Sequence, residues 1–142
     1  MPVVNKTVSI SRPPEEVFDY LAAFETTAEW DPGIVEATRT SDGPIGVGST
    51  FDLVSDFRGR KVPVTYEITE YERPSRFVIV GTNPRFTGID EIRISPDGDG
   101  TRVDYTADFR MQGFAKLFEP FMGGMFQKLS NEAMEGLKKT LG

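Results

Sequence analysis

The run Phe114–Leu141, FAKLFEPFMGGMFQKLSNEAMEGLKKTL, decides how the rest of the chain must be arranged. Its apolar residues are Phe114, Leu117, Phe118, Phe121, Met122, Met125, Phe126, Leu129, Ala133, Leu137 and Leu141. Steps of three and four draw one continuous stripe along a helix, rich in Phe and Met in its first half and in Leu in its second. Lys116, Glu119, Lys128, Asn131, Glu132, Glu135, Lys138 and Lys139 lie opposite, as a solvated face. Unbroken, the run would reach ~40 Å. Pro120 and the pair Gly123-Gly124 interrupt it, so the spacing predicts either a kink near Pro120 or a short preliminary turn with the main helix starting there. A long helix with one broad apolar face needs a concave apolar surface to lie in.

The preceding chain supplies one. Residues 2–10 read as a strand with Val4, Val8 and Ile10 in one register and Lys6 as the exception on that side. Ser11-Arg12-Pro13-Pro14-Glu15-Glu16 opens a helix, with Pro14 at its first position and two acids in the first turn. Val17, Phe18, Leu21 and Phe24 make that helix amphipathic. Thr26 and Glu29 have capping-box spacing for a second, shorter helix, stopped by Trp30-Asp31-Pro32-Gly33. The period then changes to two. Strands are predicted over 34–40, 50–57, 61–71, 76–82, 86–95 and 102–111, with Pro96-Asp97-Gly98-Asp99-Gly100 as a hairpin turn. The last strand is the clearest: Val103, Tyr105, Ala107, Phe109 and Met111 alternate with Arg102, Asp104, Thr106, Asp108 and Arg110. Seven antiparallel strands with such alternation should curve into a half-open barrel, and only the terminal helix has the apolar surface to fill it. The expected class is α+β: a curved seven-stranded antiparallel sheet wrapped around a long C-terminal helix, with two short helices after the first strand. A length of 142 residues fits one domain, 1–142.

Composition excludes more than it assigns. A net charge of −6 argues against extended phosphate contact, so no nucleic-acid partner is expected. No apolar run is long enough to span a bilayer and no basic-then-apolar leader is visible, so the expected location is cytoplasmic. There is no cysteine, which removes disulfides and thiolate sites. There is no histidine either, which removes serine–histidine hydrolysis and the usual zinc or copper ligand. No cofactor is called for and no metal site is expected. Any chemistry would run on Asp, Glu, Tyr, Lys or Arg.

The order of elements, with its particular residues, resembles the SRPBCC superfamily, also called the START-like or helix-grip fold. Within it, the chain is similar to the polyketide cyclase/dehydrase and lipid-transport group. The residues that carry the resemblance are Ile10-Ser11-Arg12-Pro13-Pro14-Glu15-Glu16-Val17-Phe18, Glu29-Trp30-Asp31-Pro32, Gly46-Val47-Gly48-Ser49-Thr50-Phe51, Glu70-Tyr71-Glu72-Arg73-Pro74 and Gly98-Asp99-Gly100-Thr101-Arg102-Val103. They span essentially the whole chain, and none is a catalytic motif. The resemblance implies a deep cavity between sheet and helix, often holding an apolar small molecule. Members include ligand carriers, polyketide aromatase/cyclases, ubiquinone-binding proteins and chaperone activators, so fold alone does not choose among tasks.

Several motifs read as plain structure. Gly46-x-Gly48 leads into a strand, not a helix N-terminus, so it is a turn and not a phosphate cradle. Asp97-Gly98-Asp99-Gly100 lacks the further ligands of a calcium loop. Arg58, Arg60 and Lys61 form a charged hairpin tip, solvated on the base rate, or else a contact for an acidic head group or a partner protein.

The candidate ligand-binding residues come from the inward parity of each strand and from the helix. They are Phe51, Leu53 and Phe57; Val64 and Tyr66; Ile79; Asp90 and Ile92; Tyr105 and Phe109; and, on the helix, Phe118, Met122, Met125 and Phe126. Met suits adaptable contact with varied ligands. Trp30, the only tryptophan, is expected at the rim, structural first and ligand-touching second. The catalytic candidates are Asp90, Tyr66 and Tyr105. Asp90 shares parity with Ile92 and Ile94, and burial would raise its pKa, which is how acid catalysts arise without histidine. Because buried unpaired carboxylates are rare, the expectation is instead that Asp90 sits at the strand's mouth or that a bulge beside Gly88 turns it outward. Tyr66 and Tyr105 have two readings, donation to a ligand carbonyl or to backbone. The expected function is binding of a small hydrophobic or aromatic molecule. The alternatives are a polyketide aromatase/cyclase using Asp90 as acid/base with a tyrosine stabilising an enolate, and a protein-interaction module.

Overall fold

Among the described residues, strands and helices follow one another in the order the periodicities predict. The computed structural model describes residues 3–57, 59–113 and 123–142, with the backbone alone described at Phe57, Met125 and Phe126. The elements are β1 (Val3–Ile10), α1 (Pro14–Ala22), a 3-10 turn (Phe24–Thr26), α2 (Thr27–Trp30), β2 (Ile34–Arg39), β3 (Thr50–Phe57), β4 (Arg60–Glu72), β5 (Arg76–Asn83), β6 (Phe86–Asp97), β7 (Gly100–Met111) and α3 (Gly123–Leu141). All neighbours pair antiparallel in the order β1-β7-β6-β5-β4-β3-β2. The sheet curves into a half-barrel, bent further by register shifts at Ile34/Glu36 in β2 and Ile68/Glu70 in β4.

Alternation places the core on the concave side. Val4 and Ile10, Phe51 and Leu53, Val64 and Ile68, Ile92 and Ile94, and Val103 and Ala107 are all buried. Val17, Phe18, Leu21 and Ala22 of α1 close one end of this core, with Phe18 edge-on to Phe77 at 5.6 Å. Pro14 stands at the first position of α1, as read from sequence. The Thr26–Glu29 capping box does not form. Thr26 Oγ1 donates to the Tyr20 carbonyl, and Glu29 Oε1 accepts from the Tyr20 hydroxyl, so both side chains are taken by α1.

The 19 residues of α3 span ~28 Å and bury Ala133, Leu137 and Leu141 against the same core. Its last turn is fastened to the β1–α1 junction. Ser11 N donates to Gly142 O at 3.1 Å, Arg12 Nε to Leu141 O at 2.8 Å, and Lys138 Nζ to Ser9 O at 2.6 Å. Midway along, Gly136 sits directly on the Trp30 carbonyl: a Cβ there would lie 1.8 Å from that oxygen. Only glycine lets the helix come this close to the turn that follows α2. Pro120 and the first part of the predicted stripe lie outside the described residues.

Candidate functional site

Between the concave face of the sheet and α3 lies a cavity of about 110 Å³. β1 contributes Val4 and Lys6, the turn after α2 contributes Trp30 and Asp31, and Tyr66, Phe86, Tyr105 and Phe109 come from β4, β6 and β7. Leu129, Ala133 and Met134 of α3 form the opposite wall. The walls are mainly apolar, but an amine, carboxyls and phenols also meet in them.

Tyr66 pairs across the β4–β5 ladder with Gly81, and its ring lies over that glycine. A Cβ at Gly81 would meet Tyr66 Cε1 at 2.5 Å, so the missing side chain is what lets the ring lie down along the wall. Phe24 packs on its other side, with centroids 4.9 Å apart. The Tyr66 hydroxyl has no hydrogen-bond partner among the described residues. Burial, with the charges of Asp90 and Asp31 behind it, holds its pKa well above the ordinary phenol value.

Asp90 points inward. It is 7% exposed, and the registers of β6 with β5 and β7 run without a shift past Gly88, so no bulge turns it away. This corrects the expectation of a mouth or outward position, and the reason is a partner: the Tyr105 hydroxyl donates to Asp90 Oδ2 at 2.6 Å. Burial pushes the Asp90 carboxyl up to about 7; the Tyr105 hydrogen bond opposes this and the Asp31 charge adds to it. Tyr105 is held far above the ordinary phenol range by burial and by the Asp90 charge. An acid half-protonated near neutrality, reached from the cavity through a phenol, can take or give a proton.

Trp30 is 4% exposed and belongs both to the core and to the cavity wall, so it is not a rim residue as sequence suggested. The close approach of α3 at Gly136 covers it. Its indole Nε1 is buried with no acceptor among the described residues. Asp31 follows, its Oδ1 accepting from Gly33 N at 2.8 Å. Burial raises the Asp31 carboxyl to about 6, helped by the Glu132 charge on α3 and opposed by the Gly33 hydrogen bond. Among the described residues no group of acidic side chains could hold a metal ion.

Over residues 1–142 the sequence matches the family described as polyketide cyclase/dehydrase and lipid transport. The chain belongs to that family. Solved structures agree on the fold of this polyketide cyclase/dehydrase and lipid-transport relative. TTHA0849 from Thermus thermophilus superposes with a TM-score of 0.82 at 20% identity, covering 99% of this chain and 97% of that one. The Zhui aromatase/cyclase from Streptomyces sp. R1128 gives 0.79 at 17% identity, over 96% and 91%. A START superfamily protein from Mycobacterium smegmatis gives 0.72 at 22% identity, over 98% and 93%. No curated protein sequence matches.

Of the residues that sequence singled out in this family member, Trp30, Tyr66, Tyr105 and Phe109 meet around the cavity, with Asp90 directly behind Tyr105. Phe51, Leu53, Ile79 and Ile92 are buried in the core cluster and Val64 is buried on β4; none of the five forms the cavity wall. Phe118 and Met122 lie outside the described residues, as do the side chains of Phe57, Met125 and Phe126. So does Arg58 of the charged tip, whose Arg60 and Lys61 are exposed. Sequence reading passed over Asp31 and Lys6 as site residues. The parity of Lys6 with Val4, Val8 and Ile10 was the available signal; for Asp31, read as a helix stop, there was none. Among the described residues no helix is long and apolar enough to cross a membrane.

Proposed function

We propose that the protein binds a small hydrophobic or aromatic molecule between the sheet and α3, as its family membership and fold support in outline. The observation that carries this reading is the cavity itself, walled by Trp30, Tyr66, Phe86 and Phe109. Its volume of about 110 Å³ sets the scale. An apolar cavity of ~150 Å³ is enough for benzene, while drug-sized sites run to several hundred. The occupant is therefore at most one ring or a short chain. Covering roughly 150 Å² of such a ligand gives about 4 kcal/mol gross, so apolar contact alone leaves a weak binder and polar groups decide the affinity. Native mass spectrometry with organic extraction tests this: a co-purifying small molecule supports it. Failure of a panel of one-ring ligands, toluene among them, to move the amide NMR shifts of any cavity residue would refute it.

A second reading, acid–base catalysis of the aromatase/cyclase kind, is favoured by one observation, the Asp90–Tyr105 pair with its raised carboxyl pKa. Asp90 would exchange the proton and Tyr105 would present it to a ligand carbonyl. Asp90→Asn should then abolish turnover of a candidate aromatic polyketide while leaving its binding intact. Unchanged turnover ends this reading.

A further inference from the structure

The cavity walls hold donors without acceptors to meet them. The Trp30 indole N–H is buried and unpartnered, and Trp30 lines the space. The Tyr66 hydroxyl and the ammonium of half-buried Lys6 line the same space with no acceptor among the described residues. A donor left unmet on burial is destabilising, so the Trp30 N–H calls for a missing acceptor, and two further donors stand on the same wall. Each neighbouring carboxylate already accepts one hydrogen bond from elsewhere in the protein. Asp31 Oδ1 takes the Gly33 N–H at 2.8 Å, Asp90 Oδ2 takes the Tyr105 hydroxyl at 2.6 Å, and Asp56 Oδ1 takes the Gly59 N–H at 2.8 Å. None of the three donors is engaged by these carboxylates, and one of them carries a positive charge. β1 shows that this is a feature of the wall. Strand parity puts Lys6 in the inward row with Val4, Val8 and Ile10, where an apolar side chain would simply continue the core.

We propose that the cavity takes a one-ring or short-chain carboxylic acid, bound as its carboxylate, with the apolar body against Tyr66, Phe86 and Phe109 and the head received by Lys6 and the Trp30 indole N–H. This rests on the ligand-cavity reading and adds to it the charge of the ligand. Lys6 is then the residue that sets specificity, and the volume of about 110 Å³ limits the body to about one ring. An amine is the opposite choice; it would pair with Asp56, or with Asp31 where burial disfavours charge, and would leave the Trp30 N–H unmet.

Four one-ring probes test it: benzoate, benzamide, benzylamine and toluene, titrated separately and followed by amide NMR shifts. Benzoate should bind at least tenfold more tightly than its neutral isostere benzamide. Lys6→Met should shrink that difference to threefold or less, and Lys6→Arg should restore most of it. Trp30→Phe should weaken benzoate a further severalfold. The ranking on the unaltered protein stands as a test even if Lys6→Met fails to fold. Equal affinity for benzoate and benzamide, or tightest binding of benzylamine, overturns the inference; toluene and benzamide still binding would then leave the cavity reading intact. Failure of all four probes to bind overturns both.

Discussion

Asp90→Asn should make this protein more stable at pH 8 and abolish most of the pH dependence of its stability. The native carboxyl titrates at about 7 against an ordinary value of 3.8, so between those values the folded chain holds a proton that the unfolded chain does not. The slope of unfolding free energy with pH follows the protons bound by the unfolded state minus those bound by the native one. Here that difference is negative, so stability falls as pH rises through the window and is flat above it. At ~1.4 kcal/mol per pKa unit, the two units from pH 5 to about 7 correspond to about 3 kcal/mol. Asp31, raised to about 6, adds roughly 1 kcal/mol of the same sign above pH 5. The wild-type chain should therefore lose about 4 kcal/mol between pH 5 and pH 8 from these two groups. The asparagine keeps an oxygen that accepts the Tyr105 hydroxyl, now at 2.6 Å, but cannot ionise. Urea unfolding at pH 5, 6, 7 and 8 reads both proteins. The variant should match wild type at pH 5 to within about 1 kcal/mol and exceed it by about 3 kcal/mol at pH 8. Parallel profiles for the two proteins, or a variant weaker than wild type at pH 8, would refute an inward, desolvated Asp90.

Tyr105→Phe removes the hydrogen bond that lowers the Asp90 pKa, so the falling limb of stability should move to higher pH; an unmoved midpoint in the same urea series would contradict the pairing. Gly136→Ala gains about 1 kcal/mol of helix propensity but puts a Cβ 1.8 Å from the Trp30 carbonyl, a backbone atom that cannot swing aside. Net destabilisation of roughly 2 kcal/mol is expected in urea unfolding, with altered Trp30 fluorescence; a stabilised variant would contradict the close approach. Gly81→Ala should displace the Tyr66 ring and cost roughly 1–3 kcal/mol, visible as shifted Tyr66 ring resonances with the remainder of the sheet unmoved.

The half-barrel was legible in the sequence because each strand's parity is a local property: β7 alternates so strictly that Val103, Ala107 and their neighbours had to face one way. The Asp90–Tyr105 pair was legible too, by arithmetic. The turn at Gly98-Asp99 pairs Asp97 with Gly100, which sets Ile92 against Tyr105 and leaves Asp90 as the diagonal neighbour. Weighing Asp90 by the rarity of buried carboxylates hid the partner that makes burial tolerable. Asp31 and Trp30 differ in kind. Their burial depends on α3 settling onto their turn through Gly136, a contact from the far end of the chain, which no local pattern encodes. The Thr26–Glu29 spacing failed for a related reason: Tyr20 of α1 competes for both side chains.

β1 lies at the sheet's edge against β7, with Val3 opposite Asp108, so the first strand of the sheet can dock only after the last has been synthesised. Closing a loop of that length costs roughly 4 kcal/mol of chain entropy before a single ladder bond repays it. Such long-range pairing is slow. The lysine-bearing side of the cavity therefore joins only once the strand it leans on has left the ribosome.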